Sequence, residues 1–474
     1  MGNSSHRLGA PLVFFAATVA AGICQAADPP NQTAAAVKRG EYLATAADCG
    51  ACHTAPGGKP FAGGLPISTP LGTIYSTNIT PSADFGIGRY TEDEFSQALR
   101  RGVRRDGANL YPAMPYTSYA KFTDEDAHAL YLYFTQAVKP VERHAPPTAL
   151  PFPMNIRLSM IGWNLLFRDT TALVPDPQQS VEWNRGAYLV QGAAHCSTCH
   201  TPRGFLMQEQ TSRALSGAQV GPWYAPNITS DPVSGIGRWS KEDLVAYLRT
   251  GHLSGKAQAA GSMGEAVEHS FQHLVAADID AIAIYVKSVP AAHDPADNSS
   301  RFAAGKRFSE LAASRGREAV RSDSESDPTG AELFQGNCTS CHQAEGQGSK
   351  DGYYPSLFSN SATGARNATN LIATILYGVN RTTSAGQAFM PGFGGHVTDA
   401  NPLSDRNIVA LGNYVLTRYG AADTTITEQQ VAEERGGGPS SPLLALIRGA
   451  MAAAAAVVFL GIALLIFRRR KRYA

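Results

Sequence analysis

Three stretches of this sequence share the pattern Cys-x-x-Cys-His: Cys49-Gly50-Ala51-Cys52-His53, Cys196-Ser197-Thr198-Cys199-His200 and Cys338-Thr339-Ser340-Cys341-His342. On a helical turn, positions i, i+3 and i+4 lie on one face, so both thiols and the imidazole of each copy share a side. Such a face can attach haem, with a thioether from each cysteine and the histidine on the iron. A zinc site or a redox-active disulfide is the alternative for any one copy. Three copies that lack the second Cys/His pair required by zinc favour three haem c groups.

The first residues have the composition of a secretory signal. His6 and Arg7 precede an apolar run at residues 11–23, and small residues at 25–27 follow as a cleavage site. We predict a signal peptide at residues 1–26 and therefore an exported protein. A lipoprotein anchor at Cys24 is the alternative. If Cys24 leaves with the signal, the six remaining cysteines are the three motif pairs.

An apolar segment lies near the other end of the chain. Residues 449–467 carry no charge over nineteen positions, which is about 28 Å of α-helix. Five basic residues follow at 468–472, and Arg448 stands at the opposite edge. Because basic clusters stay on the cytoplasmic side, we predict a single transmembrane helix at residues 443–467 in the inner membrane. The C-terminus would be cytoplasmic and the haem domains periplasmic. A buried core helix is the alternative, and it leaves the basic cluster unexplained.

The first two motifs lie in a duplicated stretch. The sequence Arg-Gly-x-Tyr-Leu begins at Arg39 and again at Arg185, and each copy leads into a motif. Downstream, Asn-Ile-Thr and Gly-Ile-Gly-Arg recur at an offset that stays between 146 and 149 residues. Both copies continue into a helix start, which has capping-box form at Thr91 and is close to that form at Ser240. A more divergent third copy surrounds Cys338.

These observations predict the fold class. The 474 residues suit several domains rather than one core, and little of the chain alternates as strands do. We predict a mostly α protein of three tandem cytochrome c-type domains, at residues 36–140, 181–290 and 325–420, plus the C-terminal transmembrane helix. Linkers are predicted at 139–180, 291–329 and 421–441, where proline or small and charged residues accumulate.

One methionine in each predicted domain is a candidate for the second axial ligand of its iron. Met114 and Met263 follow their motif histidines, His53 and His200, by 61 and 63 residues. Met390 follows His342 by 48 residues. Each lies in a stretch rich in Pro or Gly, for which we predict a loop. An iron with both axial positions filled is suited to electron transfer, so no catalytic residue is predicted.

Three smaller signals leave alternatives open. Asn78-Ile79-Thr80 and its copy at 227–229 match a glycosylation sequon, but their place inside the repeat favours a turn or a haem-propionate contact. Arg89 and Arg238 either pair with propionates or are solvated surface residues. The apolar stretch 156–167 is either an inter-domain packing element or a surface that docks onto a partner or the membrane.

The motifs together resemble those of a known family. The three Cys-x-x-Cys-His sites, the duplicated Asn-Ile-Thr, the loop Tyr111-Pro112-Ala113-Met114-Pro115-Tyr116 and the terminal anchor are similar to triheme cytochrome c subunits. These subunits belong to membrane-bound dehydrogenase complexes of acetic acid bacteria, which oxidise fructose, sorbitol, gluconate or alcohols. The stretches 348–357 and 375–383 resemble most the subunits of the fructose-oxidising complexes.

The resemblance implies partners as well as a fold. It implies a large dehydrogenase subunit that carries FAD, a small companion subunit, and ubiquinone in the cytoplasmic membrane as electron acceptor. Pyrroloquinoline quinone is the alternative cofactor of the large subunit. Within this chain the resemblance maps only onto the haem cysteines, histidines and methionines.

Two functions of other classes remain open at this point. A multihaem peroxidase requires an iron with a vacant or displaceable position, which three candidate methionines disfavour. A cytochrome subunit that donates to a terminal oxidase would bypass the quinone pool. The formal net charge of +1 indicates no nucleic-acid partner.

Overall fold

The computed structural model describes residues 30–307, 328–395 and 401–472, so the predicted signal peptide lies outside the described residues. The described chain is mostly helical, which confirms the predicted class. We call residues 30–138 the first repeat, 181–289 the second repeat and 329–435 the third segment. Four short antiparallel hairpins accompany the helices. Their strands are two to five residues long, too short for an alternating pattern to be seen in the sequence.

The first repeat begins with a long helix and closes with another that packs across it. Its elements are α1 (Pro30–Ala46), α2 (Cys49–His53), β1 (Pro66–Thr69), β2 (Gly72–Tyr75), α3 (Glu92–Arg101), α4 (Tyr116–Tyr119) and α5 (Asp124–Leu132), with a π-helical turn at Tyr133–Ala137. In the β1–β2 hairpin Pro66 pairs with Tyr75. Helix α3 starts at the predicted capping box, since the Thr91 hydroxyl accepts from the Glu94 N–H and the Glu94 carboxylate accepts from the Thr91 N–H.

The second repeat has the same order of elements, with one added hairpin, β5–β6, after its third helix. After α6 (Ser159–Phe167) in the connection come α7 (Val181–Tyr188) with a π-helical turn (Leu189–Ala193), α8 (Cys196–His200), β3 (Ala218–Val220), β4 (Trp223–Ala225), α9 (Lys241–Thr250), β5 (His252–Leu253), β6 (Ala257–Gln258), α10 (Gly261–His269) and α11 (Ala276–Ser288). The capping box predicted at Ser240 is present, with Asp243 as its carboxylate.

The third segment keeps the first and last helices of the pattern. It contains α12 (Gly330–Asn337), α13 (Thr339–His342), α14 (Thr369–Tyr377), β7 (Val379–Thr383), β8 (Gly386–Met390), α15 (Asp405–Tyr419) and α16 (Glu428–Arg435), and α17 (Leu443–Arg472) follows it.

In all three units a glycine lies where the first helix crosses a later one, namely α5 in the first repeat, α11 in the second and α15 in the third segment. A Cβ at Gly40 would stand 2.0 Å from the carbonyl oxygen of Ala129, and one at Gly186 would stand 2.0 Å from that of Ala281. A Cβ at Gly330 would stand 2.2 Å from the carbonyl oxygen of Ala410. Real side chains do not approach a backbone oxygen so closely, so only glycine permits these crossings. The glycine of the repeated Arg-Gly-x-Tyr-Leu is therefore a packing requirement.

The buried apolar side chains form two clusters. The first and second repeats share one of them, with Phe122, Leu189 and Ile279 fully buried. The third segment has its own, which includes Ile408 and Leu416. The first repeat is thus packed directly against the second.

Reciprocal hydrogen bonds join the two repeats. Arg39 contacts Asp126 at 2.5 Å within the first repeat, and Tyr188 of the second repeat donates its hydroxyl to the same carboxylate. The second repeat reproduces this arrangement. Arg185 donates to both oxygens of Asp278, and Tyr42 of the first repeat donates to that carboxylate at 2.6 Å. Each tyrosine of the duplicated motif therefore completes the ion pair of the other repeat.

We expect the replacement Asp278→Asn to lower the free energy of unfolding by about 3 kcal/mol at neutral pH, because it leaves a partly buried guanidinium without its carboxylate. Burial raises the pKa of Asp278, but the hydrogen bonds from Arg185 and Tyr42 outweigh burial and hold this pKa below its ordinary value. The contribution of Asp278 should therefore be complete above the unfolded-state pKa of about 3.9 and be lost as the pH falls through the lower folded-state pKa.

The matched control is Asp280→Asn, two residues away. Asp280 pairs with Lys241 while both side chains are more than 40% exposed, so its loss should cost less than about 1 kcal/mol. Denaturant titrations of both variants between pH 3 and 7 measure the difference. Equal losses for the two variants, or a loss at Asp278 that grows below pH 4, would contradict the structure.

The prediction of a linker at residues 421–441 is wrong for residues 421–435. Ile426 and Val431 are 2% and 0% exposed within the cluster of the third segment. Arg435 donates to the carboxylate of Asp405 at 2.7 Å and to the carbonyl oxygen of Leu403 at 3.0 Å. Helix α16 is thus part of the third segment. Its signal in the sequence was weak, since a single capped helix of eight residues carries few apolar positions.

The predicted apolar helix is present as α17. Among the described residues it is the one helix long and apolar enough to cross a membrane, and none of its most apolar window is buried. That exposure excludes the alternative of a core helix. The start of α17 is held, because Arg448 donates to the carbonyl oxygen of Phe152 at 2.9 Å. Just before the helix, the Ser441 N–H donates to the carbonyl oxygen of Pro70 at 3.1 Å.

Candidate haem-binding sites

Each Cys-x-x-Cys-His motif forms a single helical turn, as its spacing predicts. In the two repeats the residue before the first cysteine has a left-handed backbone, with φ of 49° at Asp48 and 34° at His195. This conformation ends α1 and the π-helical turn after α7, so that a new turn starts at the cysteine. In the third segment the turn continues from α12 through Cys338, whose φ is −119°. None of the six cysteines forms a disulfide.

The three motif histidines are oriented in the same way. Nδ1 of His53 lies 2.7 Å from the carbonyl oxygen of Thr77, and Nδ1 of His200 lies 2.6 Å from that of Pro226. Nδ1 of His342 lies 2.9 Å from the carbonyl oxygen of Pro355. A carbonyl accepts only from a protonated nitrogen, so Nδ1 carries the proton and Nε2 presents its lone pair. This is the tautomer required of an iron ligand.

Burial acts on these histidines in the same direction. It lowers the pKa of His53, His200 and His342, although the carbonyl contact of each ring opposes the shift. The imidazoles are therefore neutral at neutral pH. A neutral imidazole with Nε2 free can bind iron.

The duplicated Asn-Ile-Thr positions the carbonyls in the two repeats. Thr77 and Pro226 directly precede Asn78 and Asn227. The Asn78 side-chain oxygen accepts from the N–H and hydroxyl of Thr80 at 2.9 and 2.7 Å, and Asn227 makes the same pair of contacts with its threonine. Both asparagines are buried. The interpretation as a turn is confirmed and a glycan at either asparagine is excluded, because neither side chain reaches the surface.

The candidate methionines lie in three different settings. Met114 is in the predicted loop before α4. Met263 lies in the first turn of α10, and Met390 ends strand β8 opposite Val379, so the loop prediction is wrong for these two. All three side chains are half-buried. Met114 and Met263 pack against the cluster that also contacts Cys49 and Cys196, whereas Met390 and Cys338 share the other cluster. Their role as iron ligands stays a prediction.

Several buried polar atoms beside the motifs fit a large polar-edged cofactor. In the described chain no hydrogen-bond partner exists for the indole N–H of Trp239, the hydroxyl of Thr198 or a carboxylate oxygen of Asp48. Thr198 lies between two motif cysteines and Asp48 precedes another. Trp239 ends the repeated Gly-Ile-Gly-Arg-Trp. Its indole N–H has no acceptor within the described chain, and a haem propionate could accept this hydrogen bond. The residues present therefore fit haem.

The zinc alternative does not fit these sites. No group of three or more His, Cys, Asp or Glu side chains in the described ranges is placed to hold a metal ion. Each motif offers two thiols and one imidazole, which is one ligand short of the four that a structural zinc site uses.

Arg89 and Arg238, which the sequence suggested as partners of haem propionates, are surface residues. Arg89 pairs with Asp84 at 2.5 Å, and both side chains are at least 60% exposed. Arg238 is exposed as well.

Two other arginines lie deep in the protein and were missed in the sequence. Arg301 donates to the carbonyl oxygen of Ser234, and its charge contributes to the lowered pKa of His200. Arg381 is 3% exposed and donates to the side-chain oxygen of Gln258 at 3.0 Å. Arg301 lies in a predicted linker and Arg381 enters the second repeat from the third segment, so neither has a local signal.

Tyr119 links the first two candidate sites. The Tyr119 hydroxyl donates to the carbonyl oxygen of Ala47 at 3.0 Å, and its ring meets that of His195 edge-on at 5.7 Å. Tyr119 thus joins the residues that precede the first two motifs. A cavity of about 130 Å³ lies between the second repeat and the third segment. Its lining includes His252, Gln347 and Pro355, and the Pro355 carbonyl oxygen is the one that contacts His342.

Comparison with known proteins matches the chain to cytochrome c proteins. Residues 329–418 match the cytochrome c family model. The chain is 48% identical to the fructose dehydrogenase cytochrome subunit of Gluconobacter japonicus over 85% of this chain and 83% of that protein. It is 39% identical to the gluconate 2-dehydrogenase cytochrome c subunit of Pantoea cypripedii, covering 84% and 89%. It is 38% identical to the alcohol dehydrogenase (quinone) cytochrome c subunit of Gluconacetobacter polyoxogenes, covering 85% of each.

Each of these relatives is similar to the chain over 84% or 85% of its length. Their identity with it is well above the level at which family membership is in question, and all three are cytochrome subunits of dehydrogenases. The chain belongs to the family of cytochrome c subunits of dehydrogenase complexes.

Proposed function

We propose that this chain passes electrons from a dehydrogenase subunit through three haem c groups to ubiquinone in the cytoplasmic membrane. The observation that carries the proposal is the shared orientation of His53, His200 and His342, each with Nδ1 on a backbone carbonyl and Nε2 free. Three equivalent ligands in one chain, with the first two sites joined through Tyr119, suit a relay. Haem c supplies a one-electron carrier at each site.

The same proposal includes the bounds of the three domains and the two axial ligands of each iron. The domains would occupy residues 36–140, 181–290 and 325–420, and each iron would be held by one histidine and one methionine: His53 with Met114, His200 with Met263, and His342 with Met390. The crossing glycine in each unit supports three copies of one domain. Thioether ligation of this kind raises the reduction potential, which suits electron flow from a sugar or alcohol towards a quinone.

The names of the relatives support a dehydrogenase partner, and the other partners belong to the proposal. A large dehydrogenase subunit, carrying FAD or pyrroloquinoline quinone, would oxidise the substrate, and a small companion subunit would complete the complex. Helix α17 would span the inner membrane once, with 468–472 in the cytoplasm and the haem domains in the periplasm. The substrate is a property of the large subunit.

The complex can be isolated through a tag on this chain and tested directly. We expect a dehydrogenase to co-purify, its substrate to reduce the haems, and a short-chain ubiquinone to reoxidise them catalytically, whereas the haems stay reduced when quinone is omitted. Catalytic reoxidation by hydrogen peroxide would indicate a peroxidase instead. Reoxidation by a purified terminal oxidase without quinone would indicate the oxidase-linked alternative.

A further inference from the structure

Helix α6 turns its apolar side chains outward. Residues 158–167 contain no charged side chain, and a globular protein of this composition would ordinarily bury such a helix. Here Asn164 is the buried residue of α6, at 5% exposed. Four large apolar side chains are exposed: Leu158 72%, Ile161 54%, Leu165 85% and Leu166 69%.

Polar contacts hold α6 firmly in this orientation. The Asn164 side-chain oxygen accepts from the Tyr116 hydroxyl at 2.8 Å, and its amide donates to the side-chain oxygen of Asn109 at 2.9 Å. At the ends, Arg157 donates to the carbonyl oxygen of Asn109 and Arg168 to that of Arg101. The outward apolar face is therefore a built surface and does not result from a loosely attached loop.

The second repeat enlarges this surface. The Trp163 indole N–H donates to the carbonyl oxygen of Leu206 at 2.9 Å. This contact brings Phe205, which is 60% exposed, next to α6. We call the exposed side chains of Leu158, Ile161, Leu165, Leu166 and Phe205 the α6 patch.

The segment that leads into α6 lies against the start of α17. The carbonyl oxygen of Phe152 accepts from Arg448, the last charged residue before the uncharged stretch of α17. Phe152 itself is 52% exposed. The chain just before α17 also contacts the β1–β2 turn through Ser441 and Pro70. The first repeat and the segment after it are therefore in contact with the start of α17, and the α6 patch begins six residues after Phe152 in the chain.

We propose that the α6 patch lies in the headgroup and acyl boundary of the bilayer that α17 spans, as a second contact that does not cross the membrane. Nine helical residues extend about 13 Å, far less than the hydrocarbon core, so α6 can only lie along the surface. The proposal rests on the proposed function in one respect, namely that α17 is a membrane anchor.

A lipid surface fits the composition of the α6 patch better than a protein partner does. The patch is mainly aliphatic and carries no charged side chain within 158–167. Protein interfaces combine an apolar centre with hydrogen-bonding groups at the rim, whereas the polar groups of α6 are already used inside the protein. Arg157 and Arg168, at its two ends, suit the headgroup level.

Spin labels in the full complex, reconstituted into phosphatidylcholine vesicles, test this proposal. The replacement Leu165→Cys places a label in the α6 patch, Val174→Cys places one at a 79% exposed position in the same connection, and Phe459→Cys places one in α17. We expect collisions with oxygen, relative to a water-soluble nickel complex, to be severalfold more frequent at 165 and 459 than at 174. Unchanged haem spectra would show that each variant is folded.

Three other results are possible, and each contradicts either this proposal or the membrane anchor. A label at 165 that is as accessible to nickel as the label at 174, while the label at 459 is protected, would overturn the proposal and leave the anchor in place. A label at 165 inaccessible to both reagents would show that a protein subunit covers the patch, which also overturns it. Nickel access at 459 would instead contradict the membrane anchor of the proposed function.

Discussion

Replacing Cys338 and Cys341 together by alanine should lower the covalently bound haem from three groups to two. The thioethers of the third site have no other source, because the remaining described cysteines belong to the motifs at 49–52 and 196–199. Mass spectrometry of the denatured mature chain measures the loss. A total of two haems in the unchanged protein, or haem that acid acetone extracts, would show that the three motifs are not all attachment sites.

The replacement Met390→Ala is the matched variant at the same site. It leaves both cysteines and His342 in place, so three haems should remain attached. One iron should lose its axial thioether and become high-spin, with a lower reduction potential. The other two spectra should not change. If all three centres stay low-spin with unaltered potentials, Met390 is not the ligand, and the corresponding variants of Met114 and Met263 decide the other sites.

Ending the chain after Ser441 should release a folded protein, whereas ending it after Ala421 should unfold the third segment. The first cut removes α17 and keeps α16. The second removes Ile426 and Val431 from the core, where the loss of each fully buried aliphatic side chain costs about 2–4 kcal/mol. It also removes the contacts of Arg435 with Asp405 and Leu403. Haem content and thermal unfolding of the two proteins measure the difference.

The protein that ends after Ser441 also tests the route of the electrons to the membrane. Its complex should still reduce a soluble dye, because the sites and their neighbours are intact. Substrate-driven oxygen uptake by membranes should fall sharply, since the haem domains are no longer held at the quinone. Full oxygen uptake without α17 would mean that a partner supplies the attachment. A folded third segment after the cut at 421 would contradict the packing of α16.

The reciprocal contacts between the repeats bear on electron transfer. Tyr42 and Tyr188 each cross from one repeat to the ion pair of the other, and Tyr119 lies between the first two sites. These contacts fix the two sites relative to each other within one shared core. A relay benefits from such rigidity, because electron transfer depends on the distance between carriers.

Local sequence was enough to predict the haem-attachment turns, the duplication, the caps of α3 and α9, and the apolar C-terminal helix. Each of these depends on residues only a few positions apart. The spacing of Cys and His follows from the pitch of one helical turn, and a capping box uses a hydroxyl and a carboxylate three residues apart.

What only the tertiary structure decided involves residues far apart in the chain. The carbonyls of Thr77, Pro226 and Pro355 that orient the histidines lie 13 to 26 residues away, and Arg381 reaches Gln258 across 123 positions. No periodicity links such pairs. The sequence by itself determined where the three Cys-x-x-Cys-His turns form and that the chain repeats. Packing decided which carbonyl holds each ring, that two repeats share one core, and that α6 faces outward, because these depend on the free energy of burying distant surfaces together.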